Sequence, residues 1–171
     1  PLHAACAYNN VATAKYLYKL YPESINVAAN ANANANDEWH PIRSAIWGIQ
    51  FSEDNSESAV EIIQFLLDCD PNVLLQESNN KLPLYWVCVW ARNKLNAYLK
   101  VLPILYDAHP EAIESNEVTS NIDSFCAKVQ IYINAQLTYA RQARDHRVMT
   151  TPDENGQLPL HRALRDNETI T

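Results

Sequence analysis

A short phrase opened by proline and a large apolar residue returns along this chain, and its spacing restricts the folds open to it. It reads Pro1-Leu2-His3-Ala4-Ala5-Cys6 at the start, His40-Pro41-Ile42-Arg43-Ser44-Ala45 next and Leu82-Pro83-Leu84-Tyr85-Trp86-Val87 third. A last copy is Asn155-Gly156-Gln157-Leu158-Pro159-Leu160-His161-Arg162-Ala163. Successive prolines lie 40, 42 and 76 positions apart, the last interval close to twice the others. A fixed period of this size signals stacked supersecondary units, none of which buries its apolar face alone. Proline suits the first helical turn, because its φ is already set and the amide hydrogen it lacks would have had no partner there. The Leu or Ile that follows is expected to point into the stack, and the small residues after it let a neighbouring helix come close.

The units expected are about 1–40, 41–81 and 82–118, then 119–150, then a partial unit at 155–171. In the first, Val11, Ala14, Leu17 and Leu20 recur at helical spacing. In the second, the stretch from Glu57 to Asp68 puts Val60, Ile63 and Leu67 on one stripe, widened by Ile62, Phe65 and Leu66. In the third, Tyr98 to Tyr106 is helical in pattern, and Pro103 either kinks that helix or marks its start. Pro22, Pro71 and Pro110 are expected to end second helices, since each pushes the residue before it out of helical geometry. With only two glycines in the chain, turns fall to Asn9-Asn10, Asp54-Asn55 and Asn79-Asn80, whose side chains support turn geometry by local hydrogen bonds.

Residues 28–36 alternate Ala and Asn, and read as a low-complexity loop because such residues are too small and turn-prone for a strand. From Thr119 to Val148 there is neither Pro nor Gly, and two readings stand. One is a single long helix of roughly 28 residues, about 42 Å at 1.5 Å per residue. The other is a degenerate unit, because Ile122 and Cys126 keep the spacing of Leu2 and Cys6. Arg141, Arg144 and Arg147 make the end of this stretch the one basic cluster, as macrodipole partners or as a recognition patch.

The recurring phrase resembles the helix-opening Thr-Pro-Leu-His-x-Ala signature of the ankyrin repeat. His3 and His161 match the histidine that makes structural hydrogen bonds in that family, while Arg43 and Tyr85 replace it in the middle copies. The resemblance implies an all-α fold: a helical solenoid of stacked ankyrin-like helix pairs, with an extra long helix and irregular hairpin loops. The period here is longer than the usual 33 or so residues. In such stacks the first helices line a concave face, to which the positions one, four and five after the histidine contribute. Carried over, these are Ala4, Ala7 and Tyr8, then Ser44, Trp47 and Gly48, then Trp86, Val89 and Trp90, and finally Arg162, Arg165 and Asp166. The partner-binding residues expected are therefore Tyr8, Trp47, Trp86, Trp90, Arg162 and Arg165, with Trp39 as a separate contact at a hairpin tip. Either the three tryptophans are exposed anchors or another segment covers them as core.

Charge and composition narrow the partner. The net charge is −7, and residues 1–80 carry ten acidic against three basic side chains. Such a surface repels phosphate backbones, so no nucleic-acid partner is expected. No run of 18 or more apolar residues exists, so no membrane span is expected. Cys6, Cys69, Cys88 and Cys126 stand far apart with no CxxC pair, which argues for structural thiols and an intracellular, reducing compartment. The chain opens inside one copy of the phrase and stops just after another, as a piece of a longer protein would.

Chemistry is sparse. Neither a Gly-rich phosphate loop, GxSxG nor HExxH is present. His40 beside Asp37 and Glu38 is a thin metal signal, His109 before Pro110 reads as a helix-end cap, and no catalytic residue, metal, cofactor or small-molecule substrate is expected. The reading is a non-catalytic protein-protein interaction scaffold that binds a protein partner by its concave face and loop tips. The alternative is a regulatory or spacer ankyrin region of a larger multidomain enzyme.

Overall fold

A computed structural model describes residues 1–30, 38–51, 57–152 and 158. The described residues are predominantly helical: α1 (Leu2–Ala7), α2 (Val11–Leu20), α3 (Pro41–Gly48), α4 (Glu57–Cys69), α5 (Pro83–Trp90), α6 (Leu95–Ala108), α7 (Asn116–Thr119) and α8 (Ala127–Thr150). Two compact units divide inside α8, Pro1–Gln130 and Ile131–Thr171. The fourth copy of the phrase, with Arg162 and Arg165, lies outside the described residues.

Within the first unit the helices pack in pairs. Pro41 and Pro83 are the first residues of α3 and α5, and Pro1 directly precedes α1. Helix α1 packs on α2, α3 on α4 and α5 on α6; α3 also lies between α1 and α5, and α4 between α2 and α6. The seams are closed by fully buried side chains, among them Leu2, Ile42, Ile46, Ile62, Leu66, Leu84 and Leu102. Each such burial is worth about 1.5–3 kcal/mol relative to exposure. Tyr98 is buried with them, and its hydroxyl donates to the Ile46 carbonyl at 3.1 Å, tying α6 to α3. Burial pushes that phenol's pKa up.

Three corners share one construction. Tyr21, Asp70 and His109 end α2, α4 and α6 with φ near −140°, −154° and −147°, and the proline after each opens a 3-10 turn. The carbonyl before proline accepts from the amide three residues on, at 3.0, 3.1 and 3.3 Å. The residue three places after each proline, Ile25, Leu74 or Ile113, is buried. Pro-x-x-Ile/Leu is thus a second repeated phrase, and it anchors each corner to the core. Pro103 sits inside α6, which continues through it.

Asparagine replaces glycine at the turns. Asn9, Asn79 and Asn80 have φ of 55°, 53° and 54°, in the left-handed region that costs other L-residues about 1–2 kcal/mol. Around Asn79-Asn80, Ser78 and Lys81 exchange both backbone hydrogen bonds, at 3.0 and 3.2 Å, as in a two-residue turn with φ positive at both central positions. Asn80→Val is expected to cost about 1–2 kcal/mol and Asn80→Gly to be neutral or stabilising. Urea unfolding of the pair checks the sign. Asp54-Asn55 lies outside the described residues.

Three expectations need correcting. Ala29–Asn30 forms a strand, β1, antiparallel to β2 (Glu38–Trp39), with Ala29 opposite Trp39 and Asn30 opposite Glu38. The start of the Ala-Asn tract is therefore a hairpin leg. Second, α8 begins at Ala127, not near Thr119. Thr119 and Ser120 turn their hydroxyls onto the carbonyls of Ser115 and Asn116, a local bonding that competes with helix continuation, and Phe125 is extended (ψ 164°). The Ile122–Cys126 stretch is also not a first helix, because Ile122–Ser124 is a 3-10 turn. Third, Leu20 is exposed, and Ala14 alone of the proposed α2 stripe is fully buried.

The second unit contributes α8 beyond Gln130. Ile131, Tyr139 and Met149 are exposed, as are Arg141, Arg144 and Arg147. No helix among the described residues is long and apolar enough to cross a membrane.

Candidate partner-binding face

Helices α3 and α5 both open on proline and lie side by side. Arg43, the third residue of α3, meets Trp86, the fourth of α5. The guanidinium lies 4.0 Å from the Trp86 ring centre and 4.2 Å from that of Trp39, with Trp90 at 5.9 Å. Arg43 is 4 % exposed. A cation stacked on an aromatic face and removed from water gains about 2 kcal/mol or more per favourable contact, which offsets the cost of taking the charge out of solvent.

The rings also contact one another. Trp86 and Trp90 stack at 5.0 Å, Trp39 meets Trp47 edge-on at 5.6 Å and Trp90 at 6.2 Å, and Trp47 meets Phe51 at 4.5 Å. Tyr85 extends the group to Trp86 at 5.3 Å and to Phe125 at 6.2 Å. Each such pair is worth about 0.5–1.5 kcal/mol beyond area burial. All four tryptophans of the chain are thus in one cluster around one buried cation. Each is half-buried, so the cluster is neither the bare anchor set nor the covered core that the sequence left open. Trp39 Nε1 and Trp86 Nε1 are buried without a hydrogen-bond partner among the described residues; the faces of these rings, not their N–H groups, fix their positions.

Trp39 is not the separate tip contact expected. It lies in β2 and folds back onto α3. Tyr8, by contrast, is 78 % exposed at the C-terminal end of α1 and makes no ring contact with the cluster among the described residues. Of the other carried-over positions, Ser44 and Gly48 are buried and Ala4 is exposed. Gly48 faces α1 closely: a Cβ there would meet the Ala7 carbonyl oxygen at 2.4 Å. Sequence reasoning missed Arg43 as a site residue. Its one signal is a charged residue standing alone in the apolar opening of α3, where the first and last copies of the phrase have histidine.

On the side formed by α2, α4 and α6, an open groove of about 520 Å³ is lined by Lys15, Glu61, Val60, Phe65 and Lys100 among others. Lys15 spans it, 2.7 Å from Glu61 and 5.9 Å from the Phe65 ring centre. Both charges are exposed, so the pair contributes little.

His3 Nε2 lies 2.9 Å from the Val27 carbonyl. His109 closes α6, its amide donating to the Leu105 carbonyl at 3.0 Å. No group of three or more His, Cys, Asp or Glu among the described residues is arranged to hold a metal ion. Cys6 and Cys88 are buried, and burial pushes both thiols up to about 12. The native chain should therefore label at Cys69 and Cys126, which are half-buried, long before Cys6 and Cys88. Mass spectrometry of a timed alkylation at pH 8 checks the order, and early labelling of Cys88 would refute it.

No protein-family model matches this chain, and neither a curated protein nor a solved structure matches it.

Proposed function

We propose that the chain is a non-catalytic protein-interaction scaffold of ankyrin type, in which α1, α3 and α5 are successive first helices and α2, α4 and α6 successive second helices of a solenoid. The two rows of helix contacts, the proline starts of α3 and α5 and the His3 bond to Val27 support this reading. The observation that carries the function is the gathering of Trp47, Trp86 and Trp90, from two neighbouring first helices, with Trp39 on one partly open face. Aromatic anchors with part of their surface in water are the residues on which binding energy concentrates. The partner is a protein that places apolar side chains on this face.

Trp47→Ala and Trp90→Ala variants test it. Trp90 in particular is expected to lose about 2 kcal/mol of binding, roughly a thirtyfold drop in affinity. Partners recovered with the wild-type chain by proximity labelling in its own cells should be lost with both variants, while thermal unfolding shows that the variants remain folded. Retention of every partner by folded variants would remove the face from the proposal.

A further inference from the structure

The groove on α2, α4 and α6 combines an aromatic ring with a stripe of carboxylates. Along α4, Glu57, Glu61, Gln64 and Asp68 fall at intervals of four, three and four residues, which places them on one face over about 16 Å. All four are exposed, and all line the groove. Val60 and Phe65 supply the apolar part of the lining, each half-buried beside that stripe. Tyr18 of α2 meets Phe65 edge-on, at 5.5 Å and 88°, and so fixes the tilt of the ring. Asp68 accepts from Gln64 at 2.9 Å, a bond that holds its carboxylate on the stripe.

A cation already occupies this arrangement. Lys15 Nζ stands 2.7 Å from Glu61 Oε1 and 5.9 Å from the centre of the Phe65 ring, so an ammonium is held between a carboxylate and an aromatic face. Its hold is weak, because the two side chains of the pair are 48 and 56 % exposed and an ion pair in water is worth little. Lysine also uses such a site poorly. A compact ammonium is a point charge, whereas a guanidinium lays its plane on a ring and offers paired N–H groups to a carboxylate. We propose that the groove is a docking site for a basic segment of a partner protein, in which one arginine displaces Lys15 between Glu61 and Phe65 while further cations meet Glu57 and Asp68.

Charge decides the chemistry of the occupant. Three carboxylates and two ammonium groups, Lys15 and Lys100, line the groove. In the half of the sequence that contributes α2 and α4 the excess is larger: residues 1–80 carry ten acidic against three basic side chains and so account for the whole net charge of −7. An acidic segment is repelled by such a surface. A purely apolar one would take water from the carboxylates without pairing them, which costs more than it gains. A basic segment does neither, and its aliphatic stems can cover Val60 while the charged heads reach the stripe. The groove shares no residue with the tryptophan cluster, whose occupant brings apolar side chains, so the two surfaces call for different partner chemistry.

The test titrates the whole chain, by fluorescence anisotropy at low salt, with a labelled alanine-based peptide that carries arginine once per helical turn, and with the same peptide bearing lysine or glutamate at those positions. The arginine peptide is expected to bind, the lysine peptide several-fold more weakly, and the glutamate peptide not at all. Glu61→Gln should weaken the arginine peptide about three- to fivefold and leave thermal unfolding unchanged, since Glu61 is exposed. Lys15→Ala removes the competing ammonium and should tighten binding. Lys19→Ala makes the same change in net charge elsewhere on α2 and should tighten it less. Amide shifts on adding the peptide should centre on α2 and α4. No binding of the arginine peptide, equal binding of the glutamate peptide, unchanged affinity in Glu61→Gln, or equal gains from Lys15→Ala and Lys19→Ala would overturn the docking site. Self-association of the chain alone that Glu61→Gln abolishes would also overturn it, because the occupant would then be a second copy. Shifts centred on Trp47 and Trp90 would overturn it as well while leaving the function proposed above intact, since that function is tested separately by the binding of cellular partners to the Trp47 and Trp90 variants.

Discussion

Arg43→Ala lowers the stability of the chain by about 3 kcal/mol, the largest loss expected from a single side chain on the tryptophan face. The figure combines two effects. The guanidinium gives up its stacking on Trp39 and Trp86, at 4.2 and 4.0 Å, worth about 2 kcal/mol or more where water is excluded. Truncation also leaves a void between two rings, and voids of this kind add further cost when the walls cannot collapse. Two companion substitutions separate charge from volume. Arg43→Lys keeps the charge but loses the flat surface that lies against the indoles, and should cost about 1–2 kcal/mol. Arg43→Met keeps much of the volume and removes the charge. A buried charge is often replaced by an apolar side chain without loss, so a methionine variant as stable as wild type would show that volume, not cation, holds the cluster. Urea unfolding reads all three, and an alanine variant within about 0.5 kcal/mol of wild type would mean that the stacking contributes nothing measurable.

Gly48→Ala is the second large effect, and here two terms of opposite sign compete. Alanine is intrinsically the better helix former by about 1 kcal/mol. Against this, its Cβ would stand 2.4 Å from the Ala7 oxygen, 2.9 Å from the Ala7 carbonyl carbon and 3.0 Å from the Cys6 oxygen. All three are backbone atoms, so no side chain can swing aside and α1 itself must move. That movement also strains the 2.9 Å bond from Asn9 Nδ2 to the Gly48 carbonyl. Overpacking of this kind costs about 1–3 kcal/mol and sometimes more, so the net change should be a loss of about 2 kcal/mol. Calorimetry decides it: a variant that melts at or above the wild-type temperature would show that α1 and α3 do not approach this closely.

Much of the helical framework could be read from single residues, because the deciding physics was local. Pro41 and Pro83 start helices for reasons internal to proline, and Tyr21, Asp70 and His109 leave helical geometry because of the residue that follows them. Asn9 and Asn79 take positive φ since the chain has almost no glycine to do so. The failures have a different character. Nothing near Thr119 in the sequence forbids a helix, and the break depends on where the hydroxyls of Thr119 and Ser120 turn once Ser115 has capped α7. The acidic, turn-prone neighbours of Trp39 point to a tip; its place against Arg43 depends on a contact with a helix that begins at the next residue but one. Arg43 itself reads as a surface charge until α5 supplies the second ring. Contacts that join distant parts of the chain made the site, and those are the ones a linear reading does not contain.

The stacked pair Trp86 and Trp90, 5.0 Å apart at 30°, has a spectroscopic consequence. Indoles held this close share their excited states, so their transitions split into an excitonic couplet that overlaps the amide bands. Helix content taken from circular dichroism of this protein will carry a contribution that comes from two rings and not from peptide. Trp90→Phe should abolish that contribution without unwinding a residue, and the difference spectrum between the two chains carries the couplet together with the weaker coupling of Trp90 to Trp39, 6.2 Å away.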